Sequence, residues 1–384
     1  SYQLDLPFEN TVDILNIYLE TYDHKEHKQK IESILAQTLM SGRKYQQALE
    51  ALKNIKRPST EQKKVLQQLA FFLGIQEYNK DSFNKSIVYF ELASDYSINE
   101  DIAYLNIFWL VDSYYKLNDF KKSEQLYSSL DNNINFPEYD KSLQYNLGYV
   151  FFKQKQYELA NSFFRKYEKI STDSLYLNDI YLRIADCFFM NQEYSLSEKY
   201  YDKAITISLF DSDYALYKRS VALGLNNQDA LKIELLTKLK NQFLSSIYYD
   251  DALYDLAEHY KNVSNNSLAI EHYDKLIDIS KDPLILADAH LSKGMIYFNT
   301  NMENDAIQQF LFVVNNFQQT IYFKEALSGL QAAYMSLGRV DEYLEIIKAI
   351  PSVRLSESEQ DSLFYNAAFI KFSDMDYEIS FLNF

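Results

Sequence analysis

The sequence predicts an all-α fold, a solenoid of stacked helix hairpins, and three observations lead there. A pattern of small and bulky residues recurs with a period near 37. Within each unit the small residue and the bulky one stand four apart, one turn along a single helical face. Punctuation is scarce, with 7 Gly and 5 Pro in 384 residues, too little for a strand-and-turn protein.

The stretch NLGYVFFKQKQYELANSFFRKYEKI supplies the ruler, in Tyr157, Ala160 and Phe164. The small position falls at Thr11, Ala48, Ser86, Ser123, Ala160, Ser197, Lys232, Ala269, Ala306, Tyr343 and Ser380. Eight of the ten steps are 37 residues, the others 38 and 35. Four residues after each stands a bulky one: Leu15, Leu52, Phe90, Tyr127, Phe164, Tyr201, Leu236, Tyr273, Phe310, Ile347 and Phe384.

Taken in order, the chain opens on PFENTVDILNIYL, within 1–21, which reads as a second helix without its partner. About nine full hairpins follow over about 22–354. Each begins with an amphipathic helix bearing its own small residue, as at Gly74, Gly148, Ala185, Ala257 and Gly294. Three positions on stands a large side chain, such as Phe151, Phe188, Tyr260 or Tyr297, and then a polar turn such as LNDF or NQEY. Small residues mark close backbone approach, and the large ones fill the space beside them. Lys232 and Tyr343 break the small-residue rule, so looser or shifted packing is expected there. Residues 355–384 hold a last half repeat. With half a unit at each end and no polar cap, the expectation is one array cut from a longer chain.

Composition narrows function mainly by exclusion. A formal charge of −16 argues against nucleic acid and anionic membrane surfaces, which require Lys/Arg-rich faces. No run of about 18 apolar residues is present, so no membrane span is expected. The single cysteine, Cys187, excludes an internal disulfide framework and reads as a packed core thiol. His24 and His27 could share a helical face, but no further metal ligands stand nearby. Among seven glycines there is no phosphate loop, and no catalytic constellation is evident. The expectation is therefore a non-enzyme without cofactor or metal.

The pattern Leu147-Gly148-Tyr149-Val150-Phe151, Tyr157, Ala160 and Phe164 resembles the tetratricopeptide repeat. Pro58, Pro137, Pro283 and Pro351 fall in the junctions where that family places proline. The resemblance runs along the whole chain, with a period near 37 where the family has 34. It implies a right-handed superhelix whose concave face is lined by first helices and binds proteins or peptides. Carrying over the family's ligand-contact positions gives Phe71, Phe108 and Tyr145 at position 5 of the first helix. Position 9 gives Asp112, Tyr149 and Asp186, and position 12 gives Tyr78, Tyr115, Phe152 and Phe189. Tyr and Phe provide large contact area at low side-chain entropy. The same side chains could instead pack sideways between neighbouring helices. A clamp for a chaperone's C-terminal carboxylate uses Lys, Asn and Arg at these positions, and this chain lacks them.

Three readings of function follow. The first is a protein-interaction scaffold whose aromatic groove binds proteins or peptides, with Asp112 and Asp186 disfavouring acidic ligands. The alternatives are a cell-wall glycan-binding module and the docking arm of a longer enzyme or regulatory chain. Tyr/Asp-rich junctions such as YYDDALYDLAEHY resemble long tetratricopeptide proteins of Gram-negative envelopes. That resemblance implies the periplasm or cell envelope, with the cytoplasm as alternative.

Overall fold

The computed structural model describes residues 11–22, 25–53, 55, 58–127, 137–350, 353–373, 375 and 379–380. The opening PFEN, His24, Pro351 and Phe384 lie outside them. All regular structure among the described residues is α-helical, and the helices form two compact units, Ser1–Ile207 and Ser208–Phe384.

In the first unit a lone helix, α1 (Thr11–Thr21), precedes five hairpins. These are α2/α3 (Lys25–Ser41, Tyr45–Lys53), α4/α5 (Thr60–Tyr78, Phe83–Ser94) and α6/α7 (Glu100–Lys116, Phe120–Tyr127). Then come α8/α9 (Pro137–Lys153, Tyr157–Ile170) and α10/α11 (Ser174–Met190, Tyr194–Ile207). The second unit has α12/α13 (Ser212–Leu225, Asp229–Gln242), α14/α15 (Tyr249–Asn262, Asn266–Ile279) and α16/α17 (Pro283–Asn299, Glu303–Asn316). It ends with α18/α19 (Phe323–Ser336, Val340–Lys348) and a single α20 (Glu357–Ser373). Each unit is an all-α solenoid in which consecutive helices pack as pairs.

Local chemistry sets where first helices begin. Ser59 and Gln62 form a reciprocal capping box at α4, while Asn99 caps α6 and Asp173 caps α10. Pro283 occupies the first turn of α16 behind the Asp282 cap. First helices stop in a left-handed residue, at Arg43, Asp81, Asn118, Lys155, Gln192, Asn227, Ser264, Asn301, Gly338 and Met375. These residues follow the same spacing as the small-residue ruler, with steps of 38, 37 and 35 in the same places. In the α8/α9 turn the Lys155 amide donates to the Phe152 carbonyl and the Gln156 amide to the Phe151 carbonyl, both at 2.9 Å. That double bond pattern closes the helix, and it does so here at eight residues other than glycine.

Inside each hairpin one contact sets the helix separation. A methyl group at Gly74, Gly148 or Gly294 would overlap the ring of Phe90, Phe164 or Phe310 respectively, sixteen residues on. All three rings are fully buried. Phe310 is held from the other side too, since a Cβ at Gly329 of the next hairpin would lie 2.7 Å from its Cζ. At three of the four serines in the small position the hydroxyl bonds the first helix twelve residues back, whereas Ser86 donates to Phe83 and meets Ser113 of the next hairpin. Ser123 donates to Val111, Ser197 to Ala185 and Ser380 to Ala368, at 2.8, 2.9 and 2.9 Å. Three polar groups are thereby buried without loss.

The two exceptions behave differently. Lys232 lies over Gly224, whose missing side chain makes room, and reaches Asp255 at 3.6 Å. Tyr343 is only 2% exposed and donates to Gln331, again twelve residues back, at 3.3 Å. Packing at Tyr343 is close rather than loose, its hydroxyl taken up by the polar side chain of Gln331.

Tyrosine hydroxyls bond one hairpin to the next. Tyr78 donates to Asp112, Tyr145 to Asp179 at 2.8 Å and Tyr254 to Asp288, all across an offset of 34 residues. Tyr149 joins Tyr145 on Asp179 at 2.5 Å. Second helices use Glu168, which accepts from Tyr200 at 3.2 Å and from Lys203 at 2.9 Å. Burial, with the neighbouring carboxylates adding to it, pushes the hydroxyl pKa of Tyr78, Tyr145, Tyr149 and Tyr254 well above the ordinary value.

Three outcomes follow. Gly148→Ala drives a methyl into the Phe164 ring and is expected to destabilise by about 2 kcal/mol, read as a lower denaturation midpoint in urea. Lys155→Gly relieves a left-handed lysine and is expected to raise that midpoint, by about 0.5–1 kcal/mol. A tyrosine pKa raised by folding confers stability that is complete below about pH 10 and is lost as pH climbs toward the folded values. Thermal midpoints are therefore expected to hold up to about pH 9.5 and fall beyond about pH 10, and less steeply in a Tyr145→Phe/Tyr149→Phe variant.

Candidate partner-binding groove

Three successive first helices of the first unit, α6, α8 and α10, together with α9, enclose a groove of about 420 Å³. From α6 come Phe108, Trp109 and Asp112, and from α8 come Lys141, Ser142, Tyr145 and Asn146. Tyr167 of α9, Tyr176 at the start of α10 and the Asp173 cap complete the lining. Stacking brings these together because each first helix repeats the last one shifted by one hairpin, so equivalent positions line up along one face.

One wall is aromatic. The Tyr145 ring stands edge-on to Tyr176 at 5.3 Å between centroids and lies 5.5 Å from Tyr167, while Tyr167 and Tyr176 are 6.1 Å apart. The opposite wall is Trp109, edge-on to Phe108 at 5.4 Å and to Tyr78 at 4.8 Å. Polar groups are anchored among them. Asp112 accepts the Tyr78 hydroxyl and lies 3.5 Å from the Asn146 amide. Asp173 spends one carboxylate oxygen on the Leu175 amide at 2.9 Å. The Lys141 ammonium sits 5.4 Å from the centre of the Tyr167 ring.

The residues expected from the sequence divide by depth. Phe108, Asp112 and Tyr145 line the groove. Tyr78 reaches it through Asp112, and Tyr149 stands behind Tyr145 on the shared Asp179 carboxylate. Phe71 is buried against Phe90, 6.1 Å away, and lines no part of it. Position 12 turns out to brace the hairpin turn. Tyr78, Tyr115, Phe152 and Phe189 each meet the aromatic five residues on, at 5.3, 5.6, 5.6 and 5.4 Å. Asp186 is buried, paired with Arg183 and accepting the Tyr201 hydroxyl at 2.6 Å, so its charge is spent inside its own hairpin.

Trp109, Lys141, Tyr167, Asp173 and Tyr176 were absent from the sequence-based set. The lone tryptophan was visible as a rarity. Tyr176 sits in the turn of helix that a 37-residue unit adds before the consensus first helix, where no 34-residue pattern assigns a contact.

Burial, reinforced by neighbouring Asp186, pushes the Cys187 thiol up to about 12, so it is a packed core group. Among the described residues no three or more His, Cys, Asp and Glu side chains are grouped to hold a metal ion. Nor is any described helix long and apolar enough to cross a membrane.

A model of the tetratricopeptide repeat family matches residues 142–174, a span that covers most of α8, all of α9 and five of the groove's residues. No curated protein matches the chain. Among solved structures, MamA is 20% identical over 48% of this chain and 94% of its own, with a TM-score of 0.38. A tetratricopeptide repeat protein from Parabacteroides merdae is 12% identical over 69% of this chain and 98% of its own, with a TM-score of 0.43. YrrB, described as a tetratricopeptide protein with an unusual peptide-binding site, is 15% identical over 57% and 95%, with a TM-score of 0.37. Residues 142–174 thus carry a tetratricopeptide repeat, set in a run of helix hairpins that recur at the same spacing.

Proposed function

We propose that the first unit holds a segment of a partner protein in the α6/α8/α10 groove, as a non-enzymatic scaffold serving a bacterial cell-envelope assembly. Tetratricopeptide repeats are in general protein–protein interaction scaffolds. The observation that carries the reading is the groove itself, in which opposed aromatic walls flank hydrogen-bonding groups already fixed by their own partners. Its volume falls within the range of about 300–1,000 Å³ typical of ligand sites. Aromatic side chains that remain partly exposed, such as Tyr176 at 43%, are the kind that dominate interface energies.

The test is affinity capture from the native organism with the wild type and a Trp109→Ala/Tyr176→Ala variant. Tyr176 is exposed but Trp109 also packs on Phe108 and Tyr78, so the variant is expected to melt lower than wild type, and capture is compared at a temperature where both are folded by circular dichroism. Partners bound through the groove are expected to be lost or reduced at least tenfold. An Ile247→Ala control, at a site 81% exposed in the second unit, is expected to retain them. Equal capture by all three proteins would place the partner elsewhere.

A further inference from the structure

The groove is chemically uneven, and that unevenness selects among partners. Two carboxylates, Asp112 and Asp173, share the lining with one ammonium, Lys141. Behind the aromatic wall, Asp179 accepts the hydroxyls of both Tyr145 and Tyr149. A tyrosine donating to a carboxylate gains electron density on its ring, and an electron-rich face attracts cations. On the neighbouring ring of the same wall, Tyr167, the Lys141 ammonium lies within the cation–π range of about 6 Å. One cation of the chain itself thus rests where an aromatic wall meets carboxylates.

Resting on the groove reading above, we infer that the partner segment presents a cationic side chain, arginine or lysine, to the Tyr145/Tyr167/Tyr176 wall and to Asp112 and Asp173. Lys141 then acts as a built-in competitor for the same place. The chain's formal charge of −16 draws a basic segment towards the groove and repels an acidic one. Arginine fits best, since its planar guanidinium can stack on a ring and bond a carboxylate at once.

Trp109 makes this directly measurable, because it is the only tryptophan and it lines the groove. The probes are capped peptides Gly-Arg-Gly-Arg-Gly, with lysine, glutamate and serine versions, titrated against the whole chain while Trp109 emission is followed. The arginine and lysine peptides are expected to give saturable changes, with apparent Kd at least tenfold lower than for glutamate or serine. Asp112→Asn with Asp173→Asn keeps the acceptor for Tyr78 and the helix cap while removing both charges. It is expected to weaken arginine-peptide binding at least fivefold. Lys141→Met empties the competitor's place and is expected to tighten it about threefold.

If the glutamate or serine peptides bind as well as arginine, the cation inference fails while the groove remains a binding site. If the arginine response survives both the Asp112/Asp173 and the Lys141 substitutions unchanged, attraction is to the acidic chain at large and the inference is overturned. If no peptide perturbs Trp109, the groove reading falls with it.

Discussion

A phenyl ring lying against a helix that has no side chain beneath it is the contact on which the structure depends. At Gly148 and Phe164 the absent Cβ lets the two helices approach until ring and backbone touch. Nothing bulkier fits without displacing one of them. The same contact recurs at Gly74/Phe90 and Gly294/Phe310, and a common separation lets successive hairpins stack in register. Emptying such a ring position would leave a cavity worth about 3–5 kcal/mol, a large share of the stability any domain has in reserve. Ser123 and Ser197 join the two helices by another route, their hydroxyls bonding carbonyls of the facing helix. Both solutions keep backbones close without leaving a polar group unmet.

The groove is a consequence of that stacking. First helices spaced by one hairpin place tyrosine of one opposite carboxylate of the next, and the resulting bonds fix ring orientations that would otherwise be free. Structural and binding roles therefore overlap in the same side chains. Tyr145 ties α8 to α10 and also forms the wall that faces solvent. A wall already ordered by internal bonds loses little entropy when a ligand meets it, which favours tight recognition.

Much of this was legible in the sequence, though not evenly. Helix pairing, period and the small-to-large contacts could be read because they rest on residue size at fixed spacing, which composition displays openly. The left-handed turns could not: Arg43, Asp81, Lys155, Gln192 and Met375 share one backbone conformation but no side-chain property. The depth of the expected site residues was also hidden. Phe71, Phe108 and Tyr145 occupy equivalent positions, and Phe71 and Phe108 are equally buried, yet Phe71 packs on Phe90 away from the groove while the other two line it. Which fate applies depends on the neighbouring hairpins, and a single-unit consensus carries no information about those. The same limit hid Tyr176, which belongs to the helical turn by which these units exceed the consensus.

The left-handed turns have a further meaning. Ten turns keep one backbone path whatever side chain they bear, at intervals the whole array shares. Their chemistry is thus decoupled from the fold. Mutation can rewrite charge, polarity or reactivity at each of them, at about 1 kcal/mol for giving up glycine, without moving a helix. Within each unit the turns form an edge of interchangeable addresses, where evolution or an engineer can append a label per repeat and leave the groove untouched.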